Sequence, residues 1–243
     1  MKKIKINSLL FCAFFALVFS SCDPALKTDD LPVGAVVGSI KDVDGNFYRT
    51  IKIGSQTWMV ENLKTNKYND GSAIPAVTDN TVWRNLTTGA CCNYNNDAAN
   101  AAKYGKLYNW YAVNTGKLAP AGWHVPTDAE WTTLENYVKA NLGASVSVAK
   151  ALAATTDWDA STSAGVIGND LKKNNSSGFS ALSGGNRDSN GTFDHVGNYG
   201  AWWSSTEIGS SHAWYRNLYY SDEHLSQSNY DKQDGFSVRL IKD

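Results

Sequence analysis

The chain has 243 residues, of which 12% are aromatic and 19% charged, and its formal net charge is -1. Nine Trp, twelve Tyr and eight Phe can bury enough surface to exclude a disordered chain. The balanced charge, with no basic cluster, argues against nucleic acid as a partner. The only long apolar run lies at the N-terminus, which excludes a polytopic membrane protein. The sequence therefore predicts one aromatic-rich globular domain.

The N-terminus carries the features of an export signal. Three lysines among the first five residues precede an apolar run from Leu9 to Phe19. That run is shorter than the about 20 residues of a membrane-spanning helix, and it suits a secretory signal peptide. It ends in Phe19-Ser20-Ser21-Cys22, which resembles the lipobox of bacterial lipoproteins, where the cysteine is acylated and becomes the first residue. The alternative is an ordinary signal peptide with a chance cysteine. We predict a signal over residues 1–21 and lipidation of Cys22.

The segment after the cysteine is predicted to be a tether. Removal of residues 1–21 leaves 19 basic and 23 acidic residues, a net charge of -4. A mildly acidic chain is not attracted to anionic membranes, so the acyl chains must supply the anchor. Residues 22–38 read as a tether, and the acidic pair Asp29-Asp30 is similar to signals that send lipoproteins to the outer face of some outer membranes. We therefore expect a lipid-anchored protein of the outer membrane, exposed at the cell surface.

The N-terminal half of the predicted domain, residues 39–243, begins with a hairpin. Alternating runs flank Asp44-Gly45 within 39–53, a strong turn signal. Asp42, Asp44 and Asn46 are similar to the start of a calcium loop, but no glutamate follows at the required offset. We therefore predict a plain hairpin without a metal. Residues 56–63 read as a buried strand, and the apolar segment 104–113 is predicted to be core.

Two helices and two strands are predicted in the C-terminal half. Thr127 and Glu130 form a capping box, and apolar residues at helical spacing extend the helix to about Ala140. A shorter helix is predicted over 148–154. The runs 213–220 and 235–241 have the pattern of strands.

Several ordered motifs resemble one known family. They are the segments 44–46 (DGN), 56–63 (QTWMVENL), 107–111 (LYNWY), 122–127 (GWHVPT), 179–185 (FSALSGG), 202–206 (WWSST) and 235–239 (GFSVR). Together they resemble the Fibrobacter succinogenes major paralogous domain, found in secreted or lipidated bacterial surface proteins. That family is in turn similar to formylglycine-generating enzymes and C-type lectin-like folds. The resemblance implies a single α+β domain of short twisted antiparallel sheets, few helices and long loops.

The chain departs from the family at two positions. Members usually carry cysteine where this sequence has Ala119 and Leu240. The resemblance implies that the family's pair forms a disulfide, whose absence removes about 2–4 kcal/mol of constraint. Packing of Trp123 and Leu240 is expected to offset part of that loss.

No set of residues suggests catalysis. The four histidines (His124, His195, His212 and His224) are scattered, without metal-ligand spacing. Adjacent thiols at Cys91 and Cys92 neither pair readily nor match the copper-holding cysteines of the formylglycine-generating relatives. Asp157 and Asp159 flank Trp158 and could serve a glycosidase, but a solvated loop is the simpler interpretation. His124 is expected to hold structural hydrogen bonds. We predict a protein that is not an enzyme, with no cofactor and no metal.

The C-terminal third suggests binding. A strand over 213–220 places Tyr215, Asn217 and Tyr219 on one face, and the following residues mix Tyr with Ser, Asn and Asp, as binding loops do. The candidate ligand-binding residues are Tyr215, Asn217, Tyr219, Tyr230 and Asp231. The tryptophans at 202, 203 and 214 are predicted to be core, and Arg216 to form a buried ion pair.

These observations predict a lectin-like adhesin whose ligand is a glycan or a protein. Two elaborations stay open: a protein at the tip of an appendage, and a receptor diversified by a retroelement, since codon randomisation enriches the same residue types. The alternative from another class is a non-catalytic envelope subunit that assembles with its neighbours. A degenerate oxidase or hydrolase is the third hypothesis.

Overall fold

The computed structural model describes residues 32–142 and 146–243. The predicted signal, Cys22 and most of the predicted tether lie outside the described residues. Within the described residues no helix has the length and apolar character needed to cross a membrane.

The described part of the chain contains twelve strands, five α-helices and two short 3-10 helices, Tyr94–Asn96 and Leu171–Lys173. Its regular structure is mostly sheet, so the predicted α+β class is confirmed. The strands are β1 Val36–Lys41, β2 Phe47–Ile53, β3 Gln56–Met59, β4 Cys91–Cys92, β5 Leu107–Tyr108, β6 Trp123–His124, β7 Gly184–Arg187, β8 Phe193–Val196, β9 Tyr199–Glu207, β10 His212–Tyr219, β11 Ser226–Asp231 and β12 Ile241–Lys242. The helices are α1 Asn80–Arg84, α2 Ala98–Tyr104, α3 Trp110–Val113, α4 Asp128–Asn141 and α5 Val148–Leu152.

Two five-stranded sheets and one two-stranded sheet result. The first sheet has the order β1-β2-β3-β12-β6, and its pairs are antiparallel. The second has the order β11-β10-β9-β7-β8, in which β7 runs parallel to β9 and the other pairs are antiparallel. β4 pairs with β5. Because β12 comes last yet lies between β3 and β6, the first sheet joins distant parts of the chain.

The predicted hairpin is confirmed as the β1–β2 pair, with β1 beginning at Val36. The carboxylate of Asp42 accepts hydrogen bonds from the backbone and side-chain amides of Asn46 and from the hydroxyl of Tyr48. Asp44 accepts from the backbone of Asn66 and pairs with Lys67. Protein donors therefore satisfy both carboxylates at this turn.

Helix α4 joins the two sheets. Its predicted capping box is confirmed: Thr127 accepts from the backbone of Glu130, whose carboxylate accepts in return from the N–H of Thr127. Trp131 packs against Trp58 of β3, with ring centroids 4.8 Å apart. On the other side, Arg216 of β10 is 3% exposed and binds Asp128 and Glu135. The buried ion pair predicted for Arg216 is thus confirmed.

Other predictions hold in part. The second helix is present as α5, and segment 104–113 is core, with a short strand and helix inside it. Trp202 and Trp203 are buried, but Trp214 is only half-buried. Residues 235–241 are not a regular strand, because they bridge Arg187, Tyr108 and Trp202 in turn before β12 begins at Ile241. Ala119 and Leu240 both lie in one hydrophobic cluster.

Arg239 and Asn62 connect several of these elements. Arg239 is fully buried and donates to the carbonyl oxygens of Phe179 and Ser180 and to Oδ1 of Asn62. The same Oδ1 accepts from Trp202 Nε1 at 2.9 Å. The amide of Asn62 donates to the Tyr104 carbonyl and the Ser237 hydroxyl. One asparagine therefore satisfies donors or acceptors of four residues from three other segments.

We expect Asn62→Ala to lower the free energy of unfolding by at least about 3 kcal/mol, because buried donors on Arg239 and Trp202 lose their acceptor. Denaturant unfolding of the full chain measures this. The control is Asn141→Ala at an exposed position at the end of helix α4, where the side-chain amide makes one bond to the Tyr137 carbonyl, with an expected change below about 0.5 kcal/mol. A loss below about 1 kcal/mol for Asn62→Ala would contradict the role assigned to Asn62.

Candidate functional site

A cavity of about 320 Å³ opens on one face of the second sheet. We call it the tyrosine pocket. It is lined by Asn186, Asp188, His195, Tyr199, Tyr215, Tyr219, Tyr230 and Phe236. Strand register explains the gathering of the tyrosines, since residues opposite one another in antiparallel strands share a face. Tyr219 lies opposite Tyr199, and Tyr230 lies opposite Ala213, which shares its face with Tyr215.

The rings form a continuous aromatic wall. Tyr215 stands edge-on to Tyr230 with centroids 5.8 Å apart, and it packs on Phe236 at 4.7 Å. Tyr199 and Tyr219 meet at 6.3 Å. Tyr215 is 4% exposed, whereas Tyr219 and Tyr230 are 37% and 48% exposed. Tyr215 and Phe236 therefore form the floor, and the two exposed tyrosines form the rim.

The pocket contains three of the five predicted site residues, namely Tyr215, Tyr219 and Tyr230. Asn217 is half-buried and does not line it. Asp231 is also outside the wall, with its carboxylate 3.3 Å from Nε2 of His212. The prediction that Tyr215 shares a face with Tyr219 is correct, but burial makes Tyr215 a floor residue.

Sequence reasoning missed the other wall residues. Asn186 and His195 come from β7 and β8, which approach closely because Gly185 has φ +66° and a Cβ there would lie 2.5 Å from the Asp194 carbonyl oxygen. Asp188 follows β7 directly. Residues 199, 201 and 203 alternate along β9 and so share one face of the sheet, a pattern from which Tyr199 could have been identified. No local signal identifies Asn186 or Asp188, because their place depends on the β7–β9 pairing.

A buried carboxylate, that of Asp234, lies near the pocket. Asp234 is fully buried, and neither carboxylate oxygen has a hydrogen-bond partner of ordinary geometry. Burial, together with the charges of Asp231 and Asp188, raises the pKa of Asp234 to about 8, although the N–H groups of Ser189 and Asp231 are close enough to oppose this. Burial also raises the pKa of Tyr199, with Tyr215, Tyr230 and Asp234 adding to the rise. Asp234 is thus electrostatically coupled to the pocket wall.

A second cleft, of about 250 Å³, is lined by residues that already satisfy one another. In it Arg49 pairs with Glu61 at 2.7 Å, and Lys103 pairs with Asp157, which lies beside the cleft. Asn175 and Ser180 exchange hydrogen bonds. This cleft offers a ligand fewer unpaired groups than the tyrosine pocket does.

The candidates for chemistry have structural partners. His124 bonds Asp243 at 2.6 Å and Glu130 at 2.9 Å, as predicted. Burial lowers the pKa of His124, but these two hydrogen bonds outweigh it and raise the pKa above its usual value. The stabilisation from His124 is therefore complete below the unfolded-state pKa and is lost as pH rises through the folded-state pKa.

The thiols and the paired aspartates are also accounted for. Cys91 and Cys92 are free, and they belong to different hydrophobic clusters because neighbours on a strand point to opposite faces. Burial raises their pKa values to about 11 and about 12. For Asp157, burial raises the pKa, but hydrogen bonds from Lys103 and Thr156 outweigh it and lower the pKa. A glycosidase acid needs the opposite shift. Among the described residues no group of three or more His, Cys, Asp or Glu could hold a metal ion.

Comparison with known proteins identifies one family. The family model described as the Fibrobacter succinogenes major domain matches residues 51–242, more than three quarters of the chain. No curated protein and no solved structure matches the chain.

The pKa of Asp234 predicts a pH-dependent effect of Asp234→Asn. A pKa raised on folding gives stability that is complete below the unfolded value near 4 and is lost as pH rises through about 8. The amide side chain of the Asp234→Asn variant does not ionise, so the variant does not lose this stability as the pH rises. At pH 9 we expect Asp234→Asn to be more stable than the parent by at least about 2 kcal/mol, with near equality at pH 4.

Thermal and denaturant unfolding of the full chain at both pH values measure this difference. Because His124 titrates in both proteins, its contribution cancels in the comparison. The control is Asp194→Asn, an exposed aspartate of β8, with an expected change below about 0.5 kcal/mol at either pH. An Asp234→Asn protein that is less stable than the parent at pH 9 would show that the carboxylate is ionised and well solvated.

Proposed function

Because the chain belongs to the Fibrobacter succinogenes major domain family, we propose that it is a lipid-anchored cell-surface protein whose domain binds a glycan or protein ligand in the tyrosine pocket. The main observation behind the proposal is a cavity whose aromatic rim is exposed and whose wall contains one buried polar atom without a partner, Oδ1 of Asn186. Exposed aromatic side chains and a small number of polar groups are the usual components of a binding site.

The proposed architecture is lectin-like. Support comes from the capped helix α4 packed between two antiparallel-rich sheets, and from the last strand, β12, placed in the middle of the first sheet. In this proposal the loops and strands of the second sheet carry the ligand, and the first sheet with α4 is the rigid support.

The alternative is an envelope subunit that assembles with its neighbours. One observation favours it: Val36, Val43 and Phe47, on the β1–β2 hairpin, are 55%, 45% and 66% exposed, and β1 is the edge of its sheet. An open edge strand with exposed apolar side chains on it and on the adjoining turn and strand is suited to pairing with another chain.

We expect Tyr219→Ala and Tyr230→Ala to weaken ligand binding at least tenfold each, because both remove exposed aromatic rim surface. The full chain, purified in detergent, is applied to glycan and protein arrays, and hits are titrated with each variant. Phe47→Ala is the matched control, since Phe47 is an exposed aromatic on the other sheet. Ligands that survive both tyrosine substitutions would overturn the proposal. An empty array together with cross-linked ladders on intact cells would favour the assembly alternative.

The lipid anchor has its own test. We expect Cys22→Ser to abolish incorporation of labelled palmitate and release the protein from the membrane fraction, because the thioether requires the thiol. Cys12→Ser, which changes the other cysteine of the N-terminal segment, is the matched control and should retain the label. Protease treatment of intact cells then tests surface exposure, and a parent protein that stays intact would contradict it. Label retained in Cys22→Ser would overturn the lipidation site.

A further inference from the structure

We propose that the tyrosine pocket recognises a cationic side chain, lysine or arginine, of a protein partner. This inference rests on the proposed function, and it names the class of ligand that the pocket takes. Three independent features of the described residues support it: an unpaired acceptor in the wall, the aromatic faces and the sign of the surrounding charge.

The unpaired acceptor in the wall belongs to Asn186. This residue is 5% exposed, and its Nδ2 donates to Oδ1 of Asp188 at 2.6 Å. A carboxylate only accepts, so the orientation of the amide is determined by that contact. The remaining atom, Oδ1 of Asn186, is a buried acceptor without a donor. An unsatisfied acceptor in a cavity wall favours a ligand that brings N–H groups.

The surrounding charge is negative. Asp188 lines the pocket, and Asp231 lies close to it: the pKa of Tyr230 is raised by burial and, in addition, by the charges of acids that include Asp188 and Asp231. None of the eight lining residues is a lysine or arginine, and His195 is the one wall residue that can carry positive charge. Nearby cations are engaged elsewhere, since Lys232 binds Glu207 and Arg187 binds the Val77 and Thr78 carbonyls.

The aromatic wall suits the same ligand. A cation within about 6 Å of a tyrosine or phenylalanine centroid is attracted to the ring face. The apolar stem of lysine or the plane of a guanidinium can lie against Tyr219 and Tyr230 while the charged end reaches the acceptors. A neutral sugar presents hydroxyls that both donate and accept hydrogen bonds. It has no positive charge to complement the acceptors and the negative charge of the pocket.

In the test, the full chain in detergent is titrated with small probes, and the binding of each probe is measured by saturation-transfer NMR and calorimetry. The cationic probes are the Nα-acetyl N-methylamides of lysine and arginine. The neutral control is the same lysine derivative acetylated at Nε, and glucosamine with N-acetylglucosamine forms the amino-sugar pair. We expect at least one amino-acid cation to bind at about millimolar concentration, and the neutral lysine at least tenfold more weakly.

Two variants locate the binding. Asp188→Asn should weaken the cationic probes at least tenfold and leave any neutral array ligand unaffected, and Tyr230→Ala should weaken both. Asp170→Asn is the matched control, because Asp170 pairs with Lys173 and does not line the pocket. Unchanged unfolding curves for Asp188→Asn confirm that the domain remains folded.

The outcomes separate the two proposals. Equal binding of the neutral and cationic lysine probes would overturn cation recognition, as would no binding of either cation. In both cases the proposed function stands if array ligands are still lost in Tyr230→Ala. Glucosamine binding more tightly than lysine and arginine would overturn the protein partner in favour of an amino sugar. Array ligands that survive both rim substitutions overturn the proposed function itself.

Discussion

The guanidinium of Arg239 is fully buried, and its acceptors in the described chain are two peptide carbonyls and the amide oxygen of Asn62. A buried charge is costly unless its hydrogen bonds are all formed together. The segments around Phe179 and Asn62 must therefore both be in place around Arg239 in the folded protein. Arg187 repeats the arrangement, lying 4.4 Å from the Trp83 ring centre with peptide carbonyls as acceptors. Both arginines are therefore bound by peptide carbonyls and aromatic ring faces instead of carboxylates, and these contacts hold the long loops in place.

Local signals were enough to predict several elements. The hairpin follows from Asp44-Gly45 between alternating runs, and α4 from the capping box at Thr127, because each depends on neighbouring residues. The order of the sheets could not be predicted, since the pairing of β12 with β3 and of β7 with β9 joins segments far apart in sequence. The irregularity of 235–241 has the same origin: its hydrogen-bond partners change from residue to residue.

The candidate site divides in the same way. Parity along β10 placed Tyr215 and Tyr219 on one face, and Tyr230 joins them through its pairing with Ala213. The alternation of side chains along a strand predicts which face a residue occupies but not how deeply it is buried. Tyr215 is buried against Phe236, and Asn217, on the same face, does not line the pocket. The proximity of Asp188, in the pocket wall, to the buried Asp234 depends on how β7 and the segment after β11 contact each other. No sequence pattern predicts the contact between these two segments.

The position of β12 has a consequence for the order of folding. During synthesis β1, β2 and β3 are made early, yet β3 keeps an open edge until residues 241–242 are available to pair with it. An unpaired edge can recruit the wrong chain, and long-range pairing slows folding. The first sheet therefore cannot be completed before residues 241–242 have been made. Removing only β12 should leave β3 and β6 without their shared neighbour. The resulting loss of stability should be much larger than the removal of two residues would suggest.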